Sequence, residues 1–213
     1  MDKNLTEGNI GKSLILFSFP MIMGNMLQQL YNVADTLIVG KTIGATALAA
    51  VGSSYALMVL LTSIILGLCM GSGVVFAQLF GANKYDEMKI SIFNSFIFIL
   101  IVSLIINIFS FVMLEKFIVW LNIPFEAIDF TREYLKIIFI GIIFVYVYNF
   151  IASILRSIGN TVIPLIFLAI SAVTNIVLDF VFIIYFNMGV AGAAWATVVS
   201  QALSCLLYTS RCV

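Results

Sequence analysis

Apolar residues fill this chain in six long blocks, separated by short breaks rich in glycine or polar residues. A helix needs about 20 consecutive apolar residues to cross the hydrocarbon core of a bilayer. The blocks therefore predict membrane spans over about 13–39, 45–80, 90–113, 134–155, 162–186 and 189–204. At 1.5 Å per residue the second block reaches roughly 54 Å, so it must tilt, bend or extend past the bilayer. Gly67, Gly71 and Gly73 offer places to bend, and Gly67-x-x-x-Gly71 equally suits a close helix contact. Gly40-Lys41 and Gly44 mark the first turn, and 81–87 forms a polar loop. The longest predicted connection runs from Glu115 to Arg132, where Pro124, Phe117, Trp120 and Phe125 suggest an interfacial segment. The run from Ser13 to Val39 exceeds a signal-peptide core and lacks a clear cleavage site, so it reads as a retained helix.

Composition agrees with lipid as the solvent. The chain is 63% hydrophobic and only 9% charged, whereas soluble domains carry about 25% charged residues. Its formal net charge of zero gives no reason to expect nucleic acid as a partner. The absence of histidine removes the commonest general base and metal ligand. Cys69, Cys205 and Cys212 form no C-x-x-C pair, so neither a disulfide framework nor a zinc site is expected. Basic residues fall five on one side (Lys3, Lys12, Lys84, Lys89, Arg156) and four on the other (Lys41, Lys116, Arg132, Lys136). That thin majority places the N-terminus in the cytoplasm. Asn4-Leu5-Thr6 matches a glycosylation sequon, which a cytoplasmic tail would leave unused.

Asp35 and Asp179 are the only acids inside the predicted spans. A charged Asp at a helix centre costs about 2.5–3.5 kcal/mol on the insertion scale, and intramembrane ionisable groups mark functional sites by default. Their neighbours point the same way. Asn25, Gln28, Asn32 and Asp35 lie at spacings of three, four and three, which makes one stripe on the first helix. Ser171, Asn175 and Asp179 do the same on the fifth. Facing lipid would leave such amides unsatisfied, so the stripes must face a wet cavity or each other. Helices one and five run in the same direction, and both acids lie roughly 7–11 Å below one surface. Thr197, in the oppositely directed sixth helix, reaches a similar depth. Asp35, Asn175, Asp179 and Thr197 can thus share a layer whose oxygen donors suit a hard cation such as sodium, or a proton shared by two carboxylates. Tyr146, Tyr148 and Asn149 suit either a ligand pocket or ordinary packing, as do Met21, Met23 and Met26. Arg156, at a helix end, reads as a snorkelling anchor.

Several segments in order along the chain carry a family resemblance. They are Pro20 with Gln28-Gln29-Leu30-Tyr31-Asn32-Val33-Ala34-Asp35, the start of helix two at 44–52, and Ala77-Gln78-Leu79-Phe80-Gly81-Ala82. Arg156-Ser157-Ile158-Gly159-Asn160-Thr161 with Pro164, Asn175-Ile176-Val177-Leu178-Asp179, and 189–197 complete the series. Together they resemble the MATE (multidrug and toxic compound extrusion) family over nearly the whole chain, with Asn83 standing where many members have a second glycine. The resemblance implies an all-α membrane protein of twelve helices in two six-helix lobes, of which residues 1–204 form the N-terminal lobe. It implies an antiporter that exports organic cations or other drugs in exchange for sodium or protons, with no other cofactor. It places the cation site at Asp35, Asn175, Asp179 and Thr197, while the polar stripe and helix four give Asn25, Gln28, Asn32 and Tyr148 as the expected cavity lining. A bacterial plasma membrane is the expected location. Residues 205–213 resemble a translated sequencing-library adaptor, which would make Cys205 and Cys212 non-native; the chain is expected to lack its C-terminal lobe and to be inactive alone. Two other functions are weighed against the exporter. A lipid-linked-sugar flippase would need a basic cavity, and no basic residue lies in mid-span. An intramembrane protease would need a serine–histidine or paired-aspartate site with its own glycine-rich motif.

Overall fold

A computed structural model describes residues 10–212. Those residues form six long α-helices: α1 (Ile10–Thr42), α2 (Ala45–Gly81), α3 (Tyr85–Trp120), α4 (Ile128–Ser157), α5 (Val162–Asp179) and α6 (Gly189–Cys212). A 3-10 turn, Phe125–Ala127, precedes α4, and a π-helical segment, Phe180–Tyr185, continues α5. Among the described residues, five helices are long and apolar enough to cross a membrane: α2, α3, α4 with its 3-10 turn, α5 with its π segment, and α6. Hydropathy on α1 is diluted by Asn25, Gln28, Gln29, Asn32 and Asp35. The sequon at Asn4, and Lys3 with it, lie outside the described residues, as do the side chains of Lys12 and Cys212.

The helices outrun the predicted spans. Gly40 lies inside α1, where its backbone approaches Leu48, and does not end the helix. The third helix begins at Tyr85 and runs to Trp120, so Glu115 and Lys116 are helical, and the long connection predicted after Met113 shrinks to a few residues and the 3-10 turn. Charge does not stop a helix whose end lies outside hydrocarbon. Instead, an ion pair staples the ends of α3 and α4: Arg132 donates from Nε and Nη2 to Glu115 (2.7 and 3.0 Å) and from Nη1 to Asp129 (2.6 Å).

What stops the helices is a repeated C-terminal motif. After α2, the Lys84 amide bonds to Leu79 O and the Asn83 amide to Phe80 O. After α3, Ile123 and Asn122 reach back to Ile118 and Val119, and after α4, Asn160 and Gly159 reach back to Leu155 and Arg156. This double closure needs a residue in the left-handed region. Asn83 (φ 57°), Asn122 (φ 51°) and Gly159 (φ 83°) supply it. Asparagine tolerates that region because its short side chain bonds locally, so Asn83 takes over the conformational work of a glycine.

α4 is the hub and packs on α2, α3 and α6, while α5 lies between α6 and α1. One apolar core joins α2, α3 and α4 through residues such as Ile65, Phe76, Ile99, Leu135, Phe139 and Tyr146. A second joins α1, α2, α4 and α6 through Val39, Ala47, Ile138, Val190 and Ala194. Side-chain bonds to backbone carbonyls cross between helices: Asn107 to Phe139, Ser171 to Ser200 (3.1 Å), Ser204 to Phe167 (3.0 Å) and Tyr146 to Phe96 (2.7 Å). Tyr146 is therefore packing, tilted against Phe96 and Phe150 and fully buried. Tyr146→Phe is expected to keep that packing and lose one interhelical bond, a loss of about 0.6–1.7 kcal/mol, seen as a lower midpoint in thermal unfolding in detergent. An unchanged midpoint would mean that the bond contributes nothing. Among the described residues, nothing lies within 4 Å of a Cβ built at Gly67 or Gly71, whereas one at Gly73 would stand 3.5 Å from Ser153.

Candidate ion and ligand site

α1, α4, α5 and α6, with Leu66 and Met70 of α2, line a partly open cavity of about 220 Å³. Asn25 and Gln28 face it from α1, Tyr148 and Asn149 from α4, Asn175 from α5, and Thr197 and Gln201 from α6. Two of the first-helix stripe are thus in its wall. Asn32 is not: its Nδ2 donates to Gln29 Oε1 (3.2 Å), away from the cavity. Met21 lines the cavity, whereas Met23 and Met26 are exposed on the outside of α1. Tyr148 Oη lies 3.5 Å from Pro164 O, which ties the α4 wall to α5.

Asp35 and Asp179 lie beyond one end of the cavity. Asp179 is one helical turn past Asn175 and Asp35 two turns past Gln28. Both are buried, Asp179 fully. They are close enough to interact electrostatically, and the buried Tyr134 of α4 interacts with both. Tyr31 stands beside Asp35 and shares a side-chain hydrogen bond with Gln28. Neither tyrosine is marked by the polar stripes, because an aromatic residue in an apolar run reads as packing.

The hydrogen bonds divide these side chains by role. Asn175 Nδ2 donates to Thr197 Oγ1 (3.3 Å). That commits the donor of the amide and leaves its oxygen free. Asn175 Oδ1, Asp35 Oδ1 and both carboxylate oxygens of Asp179 are buried with no hydrogen-bond partner. Buried polar atoms without partners cost about 1–3 kcal/mol each, and a cluster of four, all oxygen acceptors, fits a hard cation or a proton. Among the described residues, no three His, Cys, Asp or Glu side chains converge as they would around a transition metal. The site is made of two carboxylates and an amide.

Local backbone shapes this end of the cavity. The regular α-helix ends at Asp179, and a π-helical segment takes over from Phe180. The Phe186 amide bonds to Val181 O and the Met188 amide to Phe182 O. Gly192 of α6 explains the close seat of this wide turn, since a Cβ there would come within 3.1 Å of the Phe182 carbonyl carbon. π-helical turns recur at functional sites, and this one sets the pitch immediately after the buried acid.

Comparison with known proteins gives the family. The probable multidrug resistance protein YpnP of Bacillus subtilis is 37% identical over 204 residues, which are 95% of this chain and 46% of that protein. The multidrug export protein MepA of Staphylococcus saprophyticus is 27% identical over 95% of this chain and 45% of its own length. Among solved structures, an outward-facing multidrug resistance MATE transporter of the MOP superfamily superposes with a TM-score of 0.88 at 28% identity, over 95% of this chain and 45% of that one. A MOP-superfamily transporter from Pyrococcus furiosus gives 0.89 at 28% identity, over 96% and 45%. The chain spans about half the length of the relatives it matches, and its six helices match one lobe of their fold. With residues 20–181 matched by the MatE family profile, the chain belongs to the MatE family of membrane transporters.

Proposed function

We propose that this chain supplies the ion- and ligand-binding lobe of a multidrug exporter driven by sodium or protons. The observation that carries the reading is the group of buried, unpartnered oxygens on Asp35, Asn175 and Asp179 at one end of a cavity. Asn175 belongs to both. Its buried oxygen has no hydrogen-bond partner, it stands one helical turn before Asp179, and its side chain also lines the cavity. An ion taken up by the acids therefore changes the wall that a ligand touches, and this shared residue is a physical route for coupling two binding events. Relatives that bear multidrug names agree with an amphipathic organic ligand. With the N-terminus in the cytoplasm of a bacterial plasma membrane, the acids lie towards the outer surface. A flippase for lipid-linked diphosphates would want several cations around the cavity, and among the described residues one guanidinium lines it.

The test is efflux of a fluorescent organic cation from bacteria that lack their main exporters. They would express this chain fused to the second half of the Bacillus subtilis relative. The fusion is expected to lower dye accumulation below the empty-vector level, and Asp35→Asn or Asp179→Asn in the same fusion to restore it. Efflux at the normal rate in both variants would refute the coupling role of the acids. Expressed by itself, the chain offers one wall of the pathway that repeat-built transporters move around their site, and no efflux is expected.

A further inference from the structure

We propose that Arg156 is a specificity-determining residue of the cavity, one that takes an anionic group such as a carboxylate of the bound ligand. The assignment rests on the reading of this cavity as a ligand site. Arg156 stands in the last turn of α4, half-buried, and lines the cavity together with Thr161 and Pro164 at the start of α5. The other end of the cavity is at Asn175 and Thr197, with the two acids beyond. From Thr161 to Asn175 the distance along α5 is roughly 20 Å at 1.5 Å per residue. One long cavity thus has a guanidinium at one end and two carboxylates past the other.

A surface anchor is the plain alternative for an arginine at a helix end. Two observations favour a ligand. First, the side chain lines a partly open cavity that also presents Asn25, Gln28, Asn149 and Gln201. Second, Arg132, Lys84 and Lys89 are held by carboxylates, whereas the side chains of Arg156, Lys41, Lys116 and Lys136 make no ion pair with another described residue, and of these four Arg156 is the one that lines the cavity. Guanidinium carries a fixed fork of donors that matches a carboxylate in a bidentate way. A ligand with a cationic and an anionic end would lie with its anion on Arg156 and its cation towards Asn175. A purely cationic ligand would meet repulsion at the Arg156 end.

Rhodamine 110 and rhodamine 123 provide the probe. They share one cationic ring system, and the first has a free carboxyl group where the second has its methyl ester. Fluorescence anisotropy titrations would use the purified chain in detergent and in phosphatidylcholine nanodiscs. The free acid is expected to bind about tenfold more tightly than the ester, the worth of one charge-assisted hydrogen-bonded contact. Arg156→Gln should erase that ratio, and Arg156→Lys should keep part of it because the charge remains without the fork. Equal affinities for the two dyes in the wild-type chain would overturn the assignment and leave the cavity reading intact. A preference that survives Arg156→Gln would overturn it in the same way. So would a preference lost in nanodiscs doped with phosphatidylglycerol, because a lipid phosphate would then be the true occupant. Binding of neither dye would sink the cavity reading along with it. If Arg156→Gln fails to fold, Arg156→Lys takes its place, and a ratio that it leaves unchanged would overturn the assignment.

Discussion

Sodium is expected to raise the thermal stability of the wild-type chain and to do nothing for Asp179→Ala. Asp179 is fully buried, and neither carboxylate oxygen has a hydrogen-bond donor. An ionised carboxylate in that position carries a large desolvation penalty unless a counter-charge arrives. A bound cation supplies one, and whatever binds only the folded state stabilises it. At a sodium concentration 100 times the dissociation constant the gain is about 2.7 kcal/mol. Removing the carboxylate removes the site, so the gain should vanish. The same substitution also deletes a buried group that makes no hydrogen bond, so without sodium the variant should be no less stable than the wild type. That pairing of outcomes separates an ion ligand from a structural acid, whose loss would destabilise under both conditions. The midpoint can be followed by a thiol-reactive dye, because Cys69 and Cys205 are in no disulfide and are buried until the helices part. Potassium at equal ionic strength is the control. A sodium effect that persists in Asp179→Ala would place the ion elsewhere, and a wild-type chain indifferent to sodium would leave the proton as the coupling ion.

Both stripes were legible because helical spacing fixes direction. Residues at three and four apart share a face, so Gln28 with Asp35, and Asn175 with Asp179, could be paired before any packing was known. Thr197 could be added from depth alone, and the structure puts its hydroxyl on Asn175. Spacing gives a face but not its width. Asn32 sits on the predicted stripe, yet it lies far enough round the helix to bond Gln29 instead of the cavity. Tyr146 and Tyr148 lie two residues apart with the same chemistry, and only packing sends one into the apolar core and the other to the cavity wall. Tyr134, buried beside both acids, carries no sequence signal at all.

Helix ends were read less well than helix existence. Hydropathy marks where a helix is in hydrocarbon, and α3 and α4 continue past that limit until Asn122 and Gly159 close them. The π-helical turn after Asp179 was invisible for a different reason. Gly192 of the neighbouring helix seats closely on Phe182 within that turn, and no local pattern in 180–185 reports the contact. Arg156 illustrates the limit of position along the chain: at a helix end it reads as a snorkelling anchor, and the fold adds that it lines the cavity.

Gly141→Ala is expected to destabilise the chain by about 1–3 kcal/mol, the usual cost of overpacking a close-packed interior. Gly141 lies in the middle of α4, and a Cβ built there would stand 2.7 Å from Cγ2 of Val198 on α6. No real pair of carbons approaches so closely, so one side must yield. Valine is branched at Cβ and holds one strongly preferred rotamer in a helix, which leaves little room to swing the methyl away. The two helices must then separate, and α4 with α6 is one of the principal packing pairs of the lobe. The strain reaches the site as well, because the residue before Val198 is Thr197, whose hydroxyl accepts the bond from Asn175. Sodium stabilisation should therefore weaken together with the midpoint. Val198→Ala alone leaves a small void and costs something. In combination it removes the methyl in the way, so the double variant should be at least about 1 kcal/mol more stable than the sum of the two singles predicts. Gly67→Ala is the matched control on α2, where nothing lies within 4 Å of a new Cβ. There the better helix propensity of alanine should leave stability unchanged or improve it by up to about 1 kcal/mol. Thermal unfolding of the wild type and these four variants, read by exposure of Cys69 and Cys205, decides it. Strict additivity between positions 141 and 198, or an equal loss from Gly67→Ala, would show that α4 and α6 do not meet at this glycine.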